Sequence, residues 1–319
     1  MKKLLILFLF VQIIWAQEPT KRIEFEAPES YPEGVVFDTK ANVFYVSSAR
    51  LGTLGKVTKE GKYTELYADK SLKSTYGLKV HPDGKRVFVC AGDANYSKFS
   101  TPETKKKMAR LISVDVKSGK KLADIDLSQL IPGEHFPNDL IFDASGNAYI
   151  TDSYADAVYK VDASGKASVF SKNELLKSAG VGPNGIVFHS KGFLIVANNG
   201  SGALIKIDLS NPEKAVKIKI DQFFPNVDGL LLDDDNTLTL VQNGGVNKIF
   251  KIKTSDNWIS AQVMESTSVE DRFAFPSTAA KSGKETWIMN ANFTELTEGN
   301  NVPSKKFSLQ LAVFKPLKK

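Results

Sequence analysis

A chain of 319 residues with 42% hydrophobic and 24% charged residues is long enough for one large all-β domain or two ordinary domains, and its composition is that of a soluble globular protein. The formal net charge of +6 comes from lysines scattered over loops and alternating positions, with no basic stripe interleaved with aromatics, which argues against a nucleic-acid-binding protein. Cys90 is the single cysteine, so an intramolecular disulfide is excluded and stability must come from a packed core.

The chain opens with Lys2 and Lys3, followed by an apolar run from Leu4 to Trp15 broken only by Gln12, and then Ala16 before Gln17. This is the pattern of a signal peptide over residues 1–16, which makes the mature protein an exported one, periplasmic or secreted. Removing Lys2 and Lys3 leaves 40 basic against 36 acidic residues, a net charge of +4. No other stretch approaches the ~20 apolar residues of a membrane span, and no cysteine follows the leader to carry a lipid. The alternating segment Lys21 to Glu26 then reads as an outer strand, and Glu33 begins a motif that repeats six times.

The motif is clearest in Phe136-Pro137-Asn138-Asp139-Leu140-Ile141-Phe142, a short apolar strand introduced by polar residues. Asp143 to Asn147 supply a turn, and Ala148 to Thr151 form a returning strand. Copies begin at Glu33, Tyr76, Asn138, Asn184, Asp228 and Ser277, which are 43, 62, 46, 44 and 49 residues apart. Further strand candidates lie between the pairs, among them Gly55 to Val57, Tyr63 to Leu66, Ala157 to Val161, Ala167 to Phe170 and Lys248 to Ile252. A period in the forties with about four strands per repeat predicts an all-β fold, a six-bladed β-propeller over residues 17–319. The long interval of residues 92–110 is read as an inserted loop or short helix over one face of the ring, either a surface excursion or a lid. Phe307 to Phe314 is expected to end the last blade, with the N-terminal segment closing the ring beside it.

Equivalent positions of successive blades converge on the axis of a propeller. In four of the six copies the residue opening the innermost strand is an oxygen donor: Glu33, Asn138, Asn184 and Asp228. Each alone has an ordinary explanation, since Asn and Asp favour turns. Together they place two carboxylates and two amide oxygens around one point, an arrangement that needs a positive charge between them. An all-oxygen set of this kind suits Ca²⁺ or another divalent metal, and the absence of a convergent His or Cys set argues against Zn²⁺ or Cu²⁺.

These residues carry a resemblance. The chain resembles the regucalcin/gluconolactonase family of six-bladed propellers, within the calcium-dependent phosphotriesterase superfamily that includes paraoxonase and diisopropyl fluorophosphatase. The resemblance spans nearly all of residues 17–319 and is most specific at Pro32-Glu33-Gly34, Pro137-Asn138-Asp139, Pro183-Asn184-Gly185 and Asp228-Gly229. It implies that Glu33, Asn138, Asn184 and Asp228 bind a catalytic divalent metal, usually calcium. It further implies a hydrolase in which the metal polarises a lactone carbonyl or phosphoryl oxygen, with Asp228 acting either as base toward water or as nucleophile.

Asp139 stands where most copies have Gly, and is read either as a further contact at the site or as a local hydrogen-bonding residue. His135, three residues before Asn138, is a candidate proton shuttle at the cavity rim, against the simpler reading of a rim histidine with no role. His81 and His189 fall in turns and read as structural. No Gly-x-Ser-x-Gly elbow appears, which argues against a serine hydrolase. The chain departs from sugar lactonases of the family at Phe136, where they carry an arginine. With Phe223 and Phe224 near Asp228, and Phe273 and Phe275 near Ser277, an aromatic mouth and a less polar lactone or ester substrate are expected. The mature protein is read as a monomer acting on a small molecule, without a membrane span after signal removal. The alternative is a non-catalytic propeller that binds a ligand or protein around a structural calcium.

Overall fold

The computed structural model describes residues 21–94, 96–297 and 303–317. The signal-peptide reading of residues 1–16 lies outside the described residues. Six antiparallel sheets form the blades of a β-propeller, with very little helix. The first blade runs outward through Val35–Asp38, Val43–Val46, Leu54–Thr58 and Tyr63–Tyr67. The second comprises Ser74–Val80, Arg86–Gly92, Ala109–Asp115 and Lys121–Asp126. The innermost strands of the next three blades are Pro137–Phe142, Pro183–His189 and Val227–Asp234. The sixth blade orders Pro276–Ser282, Glu285–Asn290 and Lys306–Leu311 outward, and Arg22–Glu26 from the start of the domain supplies its outermost strand. The expected ring closure is therefore observed, with Arg22–Glu26 paired to Lys306–Leu311 in one sheet. A short strand, Lys315–Pro316, adds a fifth member to the fifth blade.

Burial follows radius. Inner strands are buried over most of their length, as in Pro183–His189, whereas an outermost strand such as Asn211–Lys217 is largely exposed. That gradient explains why sequence reading missed the outer strands Lys121–Asp126 and Gln262–Ser266. Their residues carry charge and no apolar run, and only pairing with the strand inside them holds them extended. The turns between inner strands are built as the sequence suggests. Asp143 Oδ1 accepts hydrogen bonds from the backbone N–H of Ser145 and Asn147, and Gly146 adopts the positive φ of 81° that the turn requires.

Inner strands approach one another closely around the axis, and glycine makes this possible. A Cβ on Gly34 would lie 2.4 Å from the Tyr76 carbonyl oxygen, and one on Gly185 would lie 2.3 Å from that of Asp228. In five blades the pairing register between the first two strands slips at the same place. The slip falls between Thr75 and Leu78, Pro137 and Leu140, Pro183 and Ile186, Val227 and Leu230, and Pro276 and Ala279. Each slip is a β-bulge spanning the first polar position of the repeat and its neighbour, and a bulge re-aims side chains that a regular strand would send into the core.

Candidate metal centre on the propeller axis

Three of the four predicted ligands, Asn138, Asn184 and Asp228, sit in the bulges, and Glu33 enters the same site from just ahead of the unbulged first strand. Glu33, Asn138, Asn184 and Asp228 all line one cavity of about 270 Å³. Hydroxyl groups at the ends of the second strands satisfy backbone groups at the entry to the inner strands. Ser47 Oγ accepts from Gly34 N at 2.7 Å, and Thr151 Oγ1 accepts from Asp139 N at 3.0 Å while donating to the Asn184 carbonyl at 2.7 Å. The backbone carrying the four donors is thus tied across blades by hydrogen bonds independent of any ligand.

The side chains are oriented as well. Asn138 Nδ2 donates to Ser153 Oγ at 3.1 Å, and Ser153 Oγ donates onward to the Pro183 carbonyl. The amide nitrogen being held, Asn138 Oδ1 is left buried with no hydrogen-bond partner, and so is Glu33 Oε2. Asn243 Nδ2 donates to Asp228 Oδ2 at 2.5 Å. Two orphaned oxygens in one buried site are unusual, because buried polar atoms are ordinarily paired. Among the described residues no cluster of three or more His, Cys, Asp or Glu side chains forms a metal site. The set mixes carboxylates with amides, and hard cations accept that mixture. By donor chemistry and by the two orphaned atoms, the residues present fit a divalent oxygen-seeking cation.

The electrostatics agree with the geometry. Glu33 is pushed well above the usual carboxylate range, first by burial and then by the negative charges of Asp228 and Asp139, with Lys79 opposing. Asp228 rises to about 8, again by burial first and the Asp139 charge second, against hydrogen bonds from Asn184 and Asn243. Asp139, next to Asn138 in the chain, is buried and is not among the residues lining the cavity. Its Oδ1 accepts from Leu140 N and is 3.2 Å from Lys79 Nζ. Of the two roles raised for Asp139 from the sequence, the local hydrogen bond is present; Asp139 is not among the residues lining the cavity, and its charge bears on the two carboxylate donors.

His135 stands apart from the four donors. It is 2% exposed and is not among the residues lining the cavity; its Nδ1 lies 2.7 Å from Asp152 Oδ2. Asp152 Oδ1 in turn accepts from Phe136 N at 2.8 Å. Burial alone would lower the His135 pKa, but its bond to Asp152 and the Asp152 charge leave it raised.

The aromatic mouth requires correction. Phe136 and Phe275 line the cavity, together with Tyr96 and Phe293. Phe224 is instead 1% exposed in the core, edge-on to Phe250, and Phe273 is likewise buried. Phe223 is 62% exposed on an outer groove beside Gly202. Three further amides, Asn199, Asn226 and Asn243, line the cavity along with Val181 and Gly244. Sequence reading missed these amides although a signal was present. The second strands end in Asp152-Ser153, Asn198-Asn199 and Gln242-Asn243, so a second polar position recurs in register one residue past the paired strand. Tyr96 comes from the insertion after the second blade's second strand and stacks on Phe293 at 4.6 Å, so that insertion contributes to the wall.

No protein-family model and no curated protein matches the chain by sequence. Solved structures match it by shape. The major Malassezia sympodialis allergen Mala s 1 is 18% identical, with a TM-score of 0.72 over 92% of this chain and 96% of that one. A luciferin-regenerating enzyme is 14% identical, with a TM-score of 0.61 over 93% and 99%. A provisionally assigned gluconolactonase is 15% identical, with a TM-score of 0.58 over 94% and 96%. At such identities the likeness is one of fold.

Proposed function

We propose that this protein is an exported, divalent-metal-dependent hydrolase of a lactone or related ester, with calcium held by Glu33, Asn138, Asn184 and Asp228. The observation that carries the reading is the convergence of these four oxygen donors in one cavity, with Glu33 Oε2 and Asn138 Oδ1 buried and unpartnered. Bound there, the ion would supply positive charge to a carbonyl or phosphoryl oxygen of the substrate. Of the two carboxylate donors on the cavity wall, we assign to Asp228 the role of taking a proton from water or attacking a carbonyl carbon itself. Asn243 holds one oxygen of that carboxylate and so fixes which oxygen faces the substrate. Neither role needs His135, whose Nδ1 is engaged by Asp152; we assign His135 to positioning Phe136 through that carboxylate.

The wall divides the substrate into two faces. Tyr96, Phe136, Phe275 and Phe293 offer rings to an apolar group, and Asn199 and Asn226 offer amides to its oxygens. A lactone or ester bearing an alkyl or aryl portion meets both. The fold is shared with a provisionally assigned gluconolactonase and a luciferin-regenerating enzyme, which supports a reading within enzymes built on this scaffold. Calcium calorimetry on the mature protein, paired with a pH-indicator screen of lactones, aryl esters and phosphotriesters, tests the proposal. One bound ion and metal-dependent turnover are expected. Binding without turnover of any member would favour the non-catalytic scaffold with a structural calcium, and no binding would overturn the metal centre.

A further inference from the structure

Next to the candidate metal centre the chain carries a cation of its own, paired with the neighbour of Asn138. Lys79 projects from the second blade's inner strand, with its side chain 17% exposed, to within 3.2 Å of Asp139 Oδ1, whose side chain is 6% exposed. The contact is made possible by Gly77, where a Cβ would lie 2.4 Å from the same Asp139 oxygen. Asp139 replaces the glycine found at the matching position of the first, second, fourth and fifth blades, so this carboxylate and its lysine are an addition to the repeat. The Lys79 and Asp139 charges both bear on Glu33, and the Asp139 charge bears on Asp228. With all groups ionised, three carboxylates (Glu33, Asp139, Asp228) face one ammonium (Lys79), a net charge of −2, equal and opposite to one divalent ion.

We propose that Lys79 is a resident counter-ion of the metal centre, which offsets Asp139 so that the axial channel takes a single divalent cation and holds it less tightly than the carboxylates alone would. The inference rests on the metal reading above and deepens it. At separations of a few ångströms to ~10 Å in a partly buried site, one unit charge changes the affinity for a divalent ion by about tenfold or more. A lysine serving only to brace the backbone would leave a different signature: its loss and the loss of Asp139 would both distort the Asn138 strand and both weaken binding.

Calorimetry with Ca²⁺ on the full mature protein separates the two. The wild type is expected to bind one ion. Lys79→Met should bind about tenfold or more tightly, or take up a second ion, whereas Asp139→Asn should bind about tenfold more weakly. Combining Lys79→Met with Asp139→Asn should return the affinity near the wild-type value, and Lys79→Arg, which keeps the charge, should resemble the wild type. Cooperative melting verifies each variant's fold; should Lys79→Met fail to fold, Lys79→Gln removes the same charge with a polar chain. Shifts of the same sign for loss of Lys79 and loss of Asp139, or an unchanged affinity on removing the lysine's charge, would overturn the inference while leaving the metal centre standing. Absence of binding by the wild type would overturn both.

Discussion

Four blades of the ring present an oxygen donor to the axis and two do not. The second and sixth blades carry the same bulge at the same register as the third, fourth and fifth, yet place Tyr76 and Ser277 at its first position. Tyr76 is fully buried, edge-on to Phe136 at 4.8 Å, with its hydroxyl accepting from Ala94 N. Ser277 Oγ donates to the Glu33 carbonyl. Both side chains are spent on the scaffold, one supporting an aromatic wall residue and the other a donor's backbone. The bulge is therefore a property of the fold, and the residue placed in it decides whether a blade contributes to the chemistry or to the frame.

The sharpest way to break this contrast is to remove a donor. Asp228→Asn should lower calcium affinity roughly a hundredfold or more, because ligand charge sets affinity at oxygen sites. The same reasoning predicts an opposite effect on the fold. Glu33→Gln removes a buried carboxylate oxygen that has no partner, so the metal-free variant should melt higher than the metal-free wild type even as calcium binding collapses. A lower melting temperature for Glu33→Gln without metal would show that this carboxylate is part of the frame.

Next in size is the support of Asp228. Asn243→Ala removes the donor at its Oδ2, and groups that orient a ligand are worth about 10–100-fold in metal affinity. Asn243→Asp would add a negative charge in place of the donor and separates charge from orientation: tighter binding would assign Asn243 an electrostatic role alone.

Protons should report on the same two carboxylates. The Asp228 pKa in the metal-free fold is raised to about 8, and that of Glu33 is raised as well, so the folded protein keeps protons that the unfolded chain has released. The stability this confers is complete below the ordinary carboxylate range and is lost as pH rises through the raised values. Metal-free protein should therefore melt lower at pH 9 than at pH 5, and saturating calcium should remove most of that fall. Binding at pH 7 should release protons, measured as a dependence of the calorimetric heat on buffer.

The architecture was legible because six copies of one strand–turn–strand pattern recur in the sequence and each must bury an apolar inner face. The donors were legible through the same repeat, since Glu33, Asn138, Asn184 and Asp228 occupy one register. Residues outside that register were not. Lys79 reads as one polar position on an apolar strand until Gly77 and Asp139 are seen to meet across the blade boundary. Phe224 and Phe273 are close to site residues in sequence but lie in the connections ahead of the inner strands and pack into the core, because proximity along the chain does not determine which way a connecting segment turns its side chains. Tyr96 could not be placed at all, since it belongs to an insertion that has no counterpart in the other repeats.

The smallest effect is expected where the frame alone is touched. Ser277→Ala deletes a hydroxyl that donates to the Glu33 carbonyl, leaving a buried acceptor unpaired at a cost of about 1–3 kcal/mol. The Glu33 backbone is also held from the other side, where Ser47 Oγ accepts from Gly34 N and Ser47 N donates to the Gly34 carbonyl. The variant should lose thermal stability while its calcium affinity stays within a few-fold of the wild type. If affinity instead falls as far as in Asn243→Ala, the sixth blade belongs with the donors, and the division between blades that bind and blades that brace is wrong at Ser277.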